Sequence, residues 1–229
     1  MSSSASKGLN KLTWNLRTNS TNPINSGGNG FLVTPGNYTL SVSLVKNEMV
    51  ELLVEKQNFT VKGLNNQTLI AKKPAELSAF RTEVAELNRK VSGSSRLMRE
   101  TNEILNLLQD ALINYPNADL SLMKEVKALK TVYDECSVLL WGDRLRSKHE
   151  FETSPSISDR LSMVEYQLYD NTTGVSNTHK ANKAIAEEEY QLFRTKLNEI
   201  IQRMELLEGK LAAVGIPYSK SRGLDWKRD

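Results

Sequence analysis

Glu187, Glu188 and Glu189 stand in line in the last third of the chain. Grouped carboxylates run glycoside hydrolysis and hold di-iron centres in helix bundles. Either task needs them to converge on one face, whereas consecutive helical residues fan around the axis. No Glu-x-x-His pair accompanies them and the apolar stripes carry no Glu, so a solvated charged face is expected. His149 and His179 lie thirty residues apart in loop or helix-start positions. The single cysteine, Cys136, excludes an intramolecular disulfide and any cysteine-based zinc cluster, and its place on an apolar stripe predicts a small core residue. The chain lacks G-x-S-x-G, the phosphate-binding G-x-x-x-x-G-K-[ST], H-E-x-x-H and a G-x-G-x-x-G after a strand. "SGGNG" at 26–30 precedes a strand and so lacks the helix N-terminus that would hold phosphate. The expectation is a non-enzyme without cofactor or metal.

Groups suited to binding are few. Trp14 and Tyr38 are the candidates for a sugar-stacking platform, yet alternation puts both on the inward side of strands, where core packing is expected. Trp226, in the terminal "SRGLDWKRD", belongs to no periodic pattern and either docks on the rest of the chain or awaits a ligand or partner. Five N-x-[ST] sequons occur, at Asn19, Asn37, Asn58, Asn66 and Asn171, in an Asn-rich chain. Net charge is +3, with eight Lys/Arg and three Asp/Glu in 1–73. Apart from the adjacent Lys72 and Lys73 those cations stand singly, with no aromatic interleaving beyond Trp14 and Tyr38, which argues against a nucleic-acid partner.

The elements that must position these groups fall into two regimes. From Leu9 to Val61 apolar residues recur every second position, as in half-buried strands. Leu12, Trp14 and Leu16 share one face, as do Tyr38, Leu40, Val42 and Leu44, and then Val50, Leu52, Val54 and Phe59, Val61. Lys46-Asn47-Glu48 suits a hairpin turn, Pro35-Gly36 a type II turn with positive φ at Gly36, and the loop between Arg17 and Phe31 an exposed, mobile connection. Three or four antiparallel strands in meander order are expected, too few to bury a core unaided.

After Pro74 the period becomes 3.5. One phase runs through Leu77, Phe80, Val84, Leu87, Val91, Ser94, Met98, Thr101, Leu105, Leu108, Leu112 and Tyr115, which predicts one helix with Gly93 as its weak place. A second stripe uses Leu122, Val126, Leu129, Tyr133, Cys136 and Leu140, with Asn117 as the expected cap. The third uses Ile157, Leu161, Val164 and Leu168, opened by Ser156 and Asp159. The fourth runs from Tyr190 through Phe193, Leu197, Ile200, Met204, Leu207 and Leu211 to Val214, with Gly215 and Pro217 as the stop. Short connections favour packing within one chain over a dimeric coiled coil.

At 229 residues, 39% hydrophobic and 25% charged, the composition is that of a soluble globular protein, and no apolar run approaches the ~20 residues that cross a bilayer. The amino terminus lacks the apolar core of a secretory signal, so the chain is expected to be cytoplasmic, processed or cut from something longer.

"GLNKLTWNLR" followed by "TPGNYTLSVSL" resembles the G-x-N-x-x-x-W-D-x-R … P-G-x-Y-T-V-x-L pattern of a small Ig-like module of secreted bacterial proteins. With long helices after it, the chain is similar to the C-terminal region of bacterial sortilin-like (VPS10-type) propeller proteins with BNR repeats, often labelled glycosyl-hydrolase-like. Asn15 stands where that pattern has Asp, and no propeller repeats are present. The two periodic regimes by themselves predict an α+β chain with four amphipathic helices in an antiparallel bundle, and the resemblance adds the Ig-like character of the strands. An incomplete antiparallel Ig-like module fills 1–73, a long antiparallel four-helix bundle 74–215, and a C-terminal tail 216–229. It also implies further strands upstream of Lys7, a secreted, periplasmic or cell-surface location, and an upstream propeller as principal partner, with carbohydrate or protein as alternatives. Any hydrolase residues would lie in that propeller, and the chain itself would be a non-catalytic accessory region, with a ligand- or carbohydrate-binding module or a helical protein-interaction module as the alternatives.

Overall fold

The computed structural model describes residues 3–20, 28–64, 73–115 and 119–214. The fold is α+β. Four strands come first, β1 (Arg17–Asn19), β2 (Asn29–Leu32), β3 (Gly36–Lys46) and β4 (Met49–Val61). Five helices follow, α1 (Pro74–Asn114), α2 (Leu120–Trp141), α3 (Arg144–Lys148), α4 (Ile157–Leu168) and α5 (Asn177–Ala213). The chain divides into two compact units. Among the described residues, the first holds the strands, α1 as far as Glu83, and Gln167–Val175; the second holds the rest of α1, α2, α3, α4 as far as Tyr166, and Ser176–Val214.

In the first unit the strands make two separate antiparallel pairs, β1 with β2 and β3 with β4, rather than one meander. The alternation over Leu12–Leu16 does not become a strand. Asn15 Oδ1 accepts the Arg17 N–H at 3.1 Å, and Leu16 takes φ 59°, so a side-chain-closed turn replaces the extended chain. Pro35-Gly36 does not form the type II turn either: Gly36 is outside the positive-φ set and opens β3 opposite Val61. At the far end Lys46 pairs with Met49 around Asn47 and Glu48, both left-handed at φ 49° and 64°, the geometry of a two-residue type I′ hairpin. Gly30 is required where β1 and β2 meet, because a Cβ there would overlap the Asn19 carbonyl oxygen and Thr18 Oγ1. The positions from Thr21 to Gly27, and with them most of the expected mobile loop, lie outside the described residues.

In the second unit one apolar core draws on α1, α2, α4 and α5, with Met98, Leu105, Leu129, Leu140, Leu161, Phe193, Ile200 and Leu207 fully buried. Cross-helix pairs give the directions. Lys130 on α2 reaches Asn106 and Gln109 on α1; Lys196 and Lys210 on α5 meet Glu135 and Glu125 on α2. Asn88 on α1 meets Glu165 on α4, and Arg160 on α4 meets Asn182 on α5. Ser94 meets Tyr190, and Tyr115 meets the Val214 carbonyl. Thus α1 and α5 run parallel, while α2 and α4 run antiparallel to both along successive lengths of that pair. The polar residues on the α1 stripe are satisfied, Ser94 by the Tyr190 hydroxyl at 2.9 Å and Thr101 by the Leu97 carbonyl at 2.8 Å.

Caps explain the boundaries. Asp119 accepts the Ser121 N–H at the start of α2, while the expected cap Asn117 lies outside the described residues. Ser156 and Asp159 bond reciprocally at the start of α4, as expected. The short α3, which has no apolar stripe, is held by Asp143 accepting from Leu145 and Arg146. α5 begins at Asn177, thirteen residues before the first stripe residue Tyr190, and the expected stop at Gly215 and Pro217 lies outside the described residues.

α1 is continuous through Gly93, about 60 Å at 1.5 Å per residue. A Cβ built at Gly93 meets nothing within 4 Å. Gly93→Ala is therefore expected to raise the unfolding free energy by about 1 kcal/mol in chemical denaturation. A neutral or destabilising result would mean that the helix is bent there in solution.

Candidate functional site

The feature least explained by the needs of folding is the β3–β4 ribbon. Its strands are eleven and thirteen residues long, and almost every side chain on β4 is exposed. Leu40, Val45, Met49, Val50, Leu52 and Leu53 are each more than half exposed, between 53% and 73%. Such residues are normally covered.

Directly paired residues share a face, so the register assigns the sides. Tyr38 pairs with Phe59, Leu40 with Gln57, Val42 with Val54 and Leu44 with Glu51 on one face. On the other, Asn37 pairs with Thr60 and Thr39 with Asn58, and each pair is joined by a 2.9 Å side-chain hydrogen bond. Two register shifts each leave an extra residue on β4. Val54 therefore lies opposite Val42, while Leu52 and Val50 lie opposite Ser43 and Val45 on the other side. The expectation that Val50, Leu52 and Val54 share a face is overturned by these bulges.

The base of the ribbon is anchored. Trp14 stands edge-on to Tyr38 and Phe59, with ring centroids 5.6 and 6.0 Å away, and Tyr38 stacks on Phe59 at 6.0 Å. The Trp14 indole N–H donates to the Arg17 carbonyl at 2.9 Å, and the Tyr38 hydroxyl donates to the Thr34 carbonyl at 2.6 Å. Both residues are half-buried, and the polar group that each would offer a sugar is already engaged.

Beside them lies a cationic clasp that the sequence reading missed. Arg81, on α1, is 5% exposed, and among the described residues its hydrogen bonds go to backbone carbonyls. Nε and Nη2 donate to Leu168 O at 3.2 and 2.8 Å, Nη2 to Asn171 O at 2.5 Å, and Nη1 to Leu32 O at 2.8 Å. Leu168 ends α4, so the guanidinium meets a carbonyl left over at the negative end of that helix. Burial, then the neighbouring Arg17 charge, lowers the Arg81 pKa, opposed by Asp170. Arg17 lies over the Tyr169 ring at 3.8 Å and pairs with Asp170. Asn171 Oδ1 accepts the Thr173 and Gly174 N–H groups and its amide donates to Gly174 O, so this sequon forms a closed turn.

The other chemistry-bearing residues do structural work. Cys136 is fully buried in the second-unit core and burial pushes its thiol up to about 11, which makes it unreactive. His179 closes the box that starts α5: its N–H donates to Ser176 Oγ and its Nδ1 accepts the Ser176 N–H, both at 3.1 Å. Glu187 pairs with Lys183 and Glu189 with Arg160, so the glutamate run does not converge. Trp226 and Asn66 lie outside the described residues. Among the described residues, no cluster of His, Cys, Asp and Glu has the grouping of a metal site, and no helix is long and apolar enough to cross a membrane. Comparison with protein-family models, curated proteins and solved structures gives no match.

Two outcomes follow from these contacts. Arg81→Lys keeps the charge but not the fork, and is expected to lower the unfolding free energy by about 2 kcal/mol in chemical denaturation; a loss below about 0.5 kcal/mol would contradict the clasp. Burial lowers the His179 pKa, so as pH falls through about 6.5 the unfolded chain takes up this proton first. The contribution is complete above that pH and is lost as pH falls toward the folded value. His179→Gln, which retains a capping acceptor, is expected to flatten part of the stability loss on acidification from about pH 7 to 5. An identical pH profile would rule the imidazole out.

Proposed function

We propose that the chain is a non-catalytic accessory region of an exported protein, which packs its β ribbon against a propeller domain of the same protein and spaces it with its helices. The observation that carries this reading is the bare apolar surface of β3 and β4. Leu40 on one face, Val50 and Leu52 on the other, and Met49 and Leu53 beside them are each more than half exposed, which supports an interaction role for the ribbon. The propeller and the exported location come from the "GLNKLTWNLR" and "TPGNYTLSVSL" resemblance. The non-catalytic assignment is supported by the tasks of the described candidate groups, with Cys136 in the core, His179 in a cap and Glu187 and Glu189 in ion pairs. A carbohydrate platform on Trp14 and Tyr38 is less well supported, because the rings pack edge-on to one another and their polar atoms are spent.

The test is to read the open reading frame upstream of this chain, produce the encoded region separately, and measure its binding to this chain. A propeller that binds wild type, and binds a Val50→Lys, Leu52→Lys double variant at least about tenfold more weakly, is the expected result. A frame without propeller repeats, or equal affinity for a variant of unchanged helical content, would overturn the reading.

A further inference from the structure

The ribbon has two outer edges, and they are not alike. β4 is defended: it carries Glu51, Glu55 and Lys56, and both register shifts place their extra residue on it. Charges and bulges are the usual means by which an exposed strand avoids pairing with another chain. β3 has neither. Between Gly36 and Val45 there is no charged residue and no proline, and its side of the ladder has no inserted residue. A neutral stretch rich in β-branched and aromatic residues, "NYTLSVSLV", is the composition that adds strands most readily. A two-stranded ribbon is also marginal in water and gains from a third and fourth strand.

The sequence of β3 specifies what it fits. Laid antiparallel against itself with Ser41 opposite Ser41, it sets Tyr38 against Leu44 of the second copy and Leu40 against Val42 of the second copy on one face. Asn37 then meets Val45 of the second copy, and Thr39 meets Ser43 of the second copy, on the other. No like charges oppose, because the only cation, Lys46, falls opposite Gly36 of the second copy. We propose that the outer edge of β3 pairs antiparallel with β3 of a second copy about a two-fold axis at Ser41, joining two ribbons into one four-stranded sheet in the order β4-β3-β3-β4. The interface is isologous and closes at two copies, since the defended β4 edges lie outside. It uses the backbone edge of β3 and leaves the exposed apolar side chains of β4 free, so it stands or falls separately from the accessory reading.

The test uses a cysteine at the axis. Directly opposed positions in antiparallel strands bring Cβ atoms to about 4.5–5.5 Å, close enough for a disulfide after small adjustment. Native Cys136 is buried and stays silent. Mild oxidation of Ser41→Cys is expected to give a covalent species of twice the chain mass, while Asn58→Cys on β4, equally exposed, stays single. Without cross-linking, wild type should rise from one to two copies with concentration in sedimentation, and Ser41→Lys, which sets two ammonium groups across the axis, should remain single with unchanged helical circular dichroism. Four results would overturn the proposal: wild type single at every concentration, a dimer indifferent to Ser41→Lys, Asn58→Cys cross-linking as readily as Ser41→Cys, or a mass climbing beyond two copies.

Discussion

A buried guanidinium organises the strand-bearing unit. Arg81 is taken from water without a carboxylate of its own; its donors meet three carbonyls, of Leu32, Leu168 and Asn171. A charge in such a place is tolerated only when its donors are met. The three carbonyls come from the end of β2, the end of α4 and the segment beyond α4, pieces that no regular ladder joins. Phe31, Leu77, Phe80 and Leu168 are buried in the same unit, and the Phe31 ring lies 5.7 Å from the guanidinium carbon. Apolar burial supplies the driving force there, and Arg81 supplies the geometry.

Outward along the ribbon the balance changes. The Trp14, Tyr38 and Phe59 rings hold its base, at about 1 kcal/mol per pair beyond their burial. Past Leu40 nothing comparable among the described residues covers either face, and the type I′ turn at Asn47-Glu48 spends a left-handed conformation on a glutamate. The helical unit differs, with most of its apolar stripes buried in one core and Ser94 and Thr101 on the α1 stripe hydrogen-bonded.

Much of this was legible in the residues. The stripe from Leu77 to Tyr115 predicts α1 closely because its phase does not slip across Gly93, as it would if the helix broke there, and the Ser156 and Asp159 cap follows from local hydrogen-bond chemistry. The strands were legible in type but not in partnership. Leu12, Trp14 and Leu16 alternate as a strand should, yet the Asn15 side chain closes a turn that alternation does not register. The faces of β4 depend on bulges, which a chain of Val, Leu and Glu does not announce. α3 is too short for a stripe. Arg81 left only the faintest sign, a cation directly after the buried Phe80, because its partners are backbone carbonyls far away in sequence.

The central claim, that Arg81 is locked to three carbonyls within the strand-bearing unit, is tested most directly by nitrogen-15 NMR of its guanidinium in the wild-type chain. The account predicts a side-chain Nε–H that exchanges slowly with water and resolved, slowly rotating Nη groups. A single averaged Nη signal with rapid solvent exchange, like those of surface arginines, would contradict it.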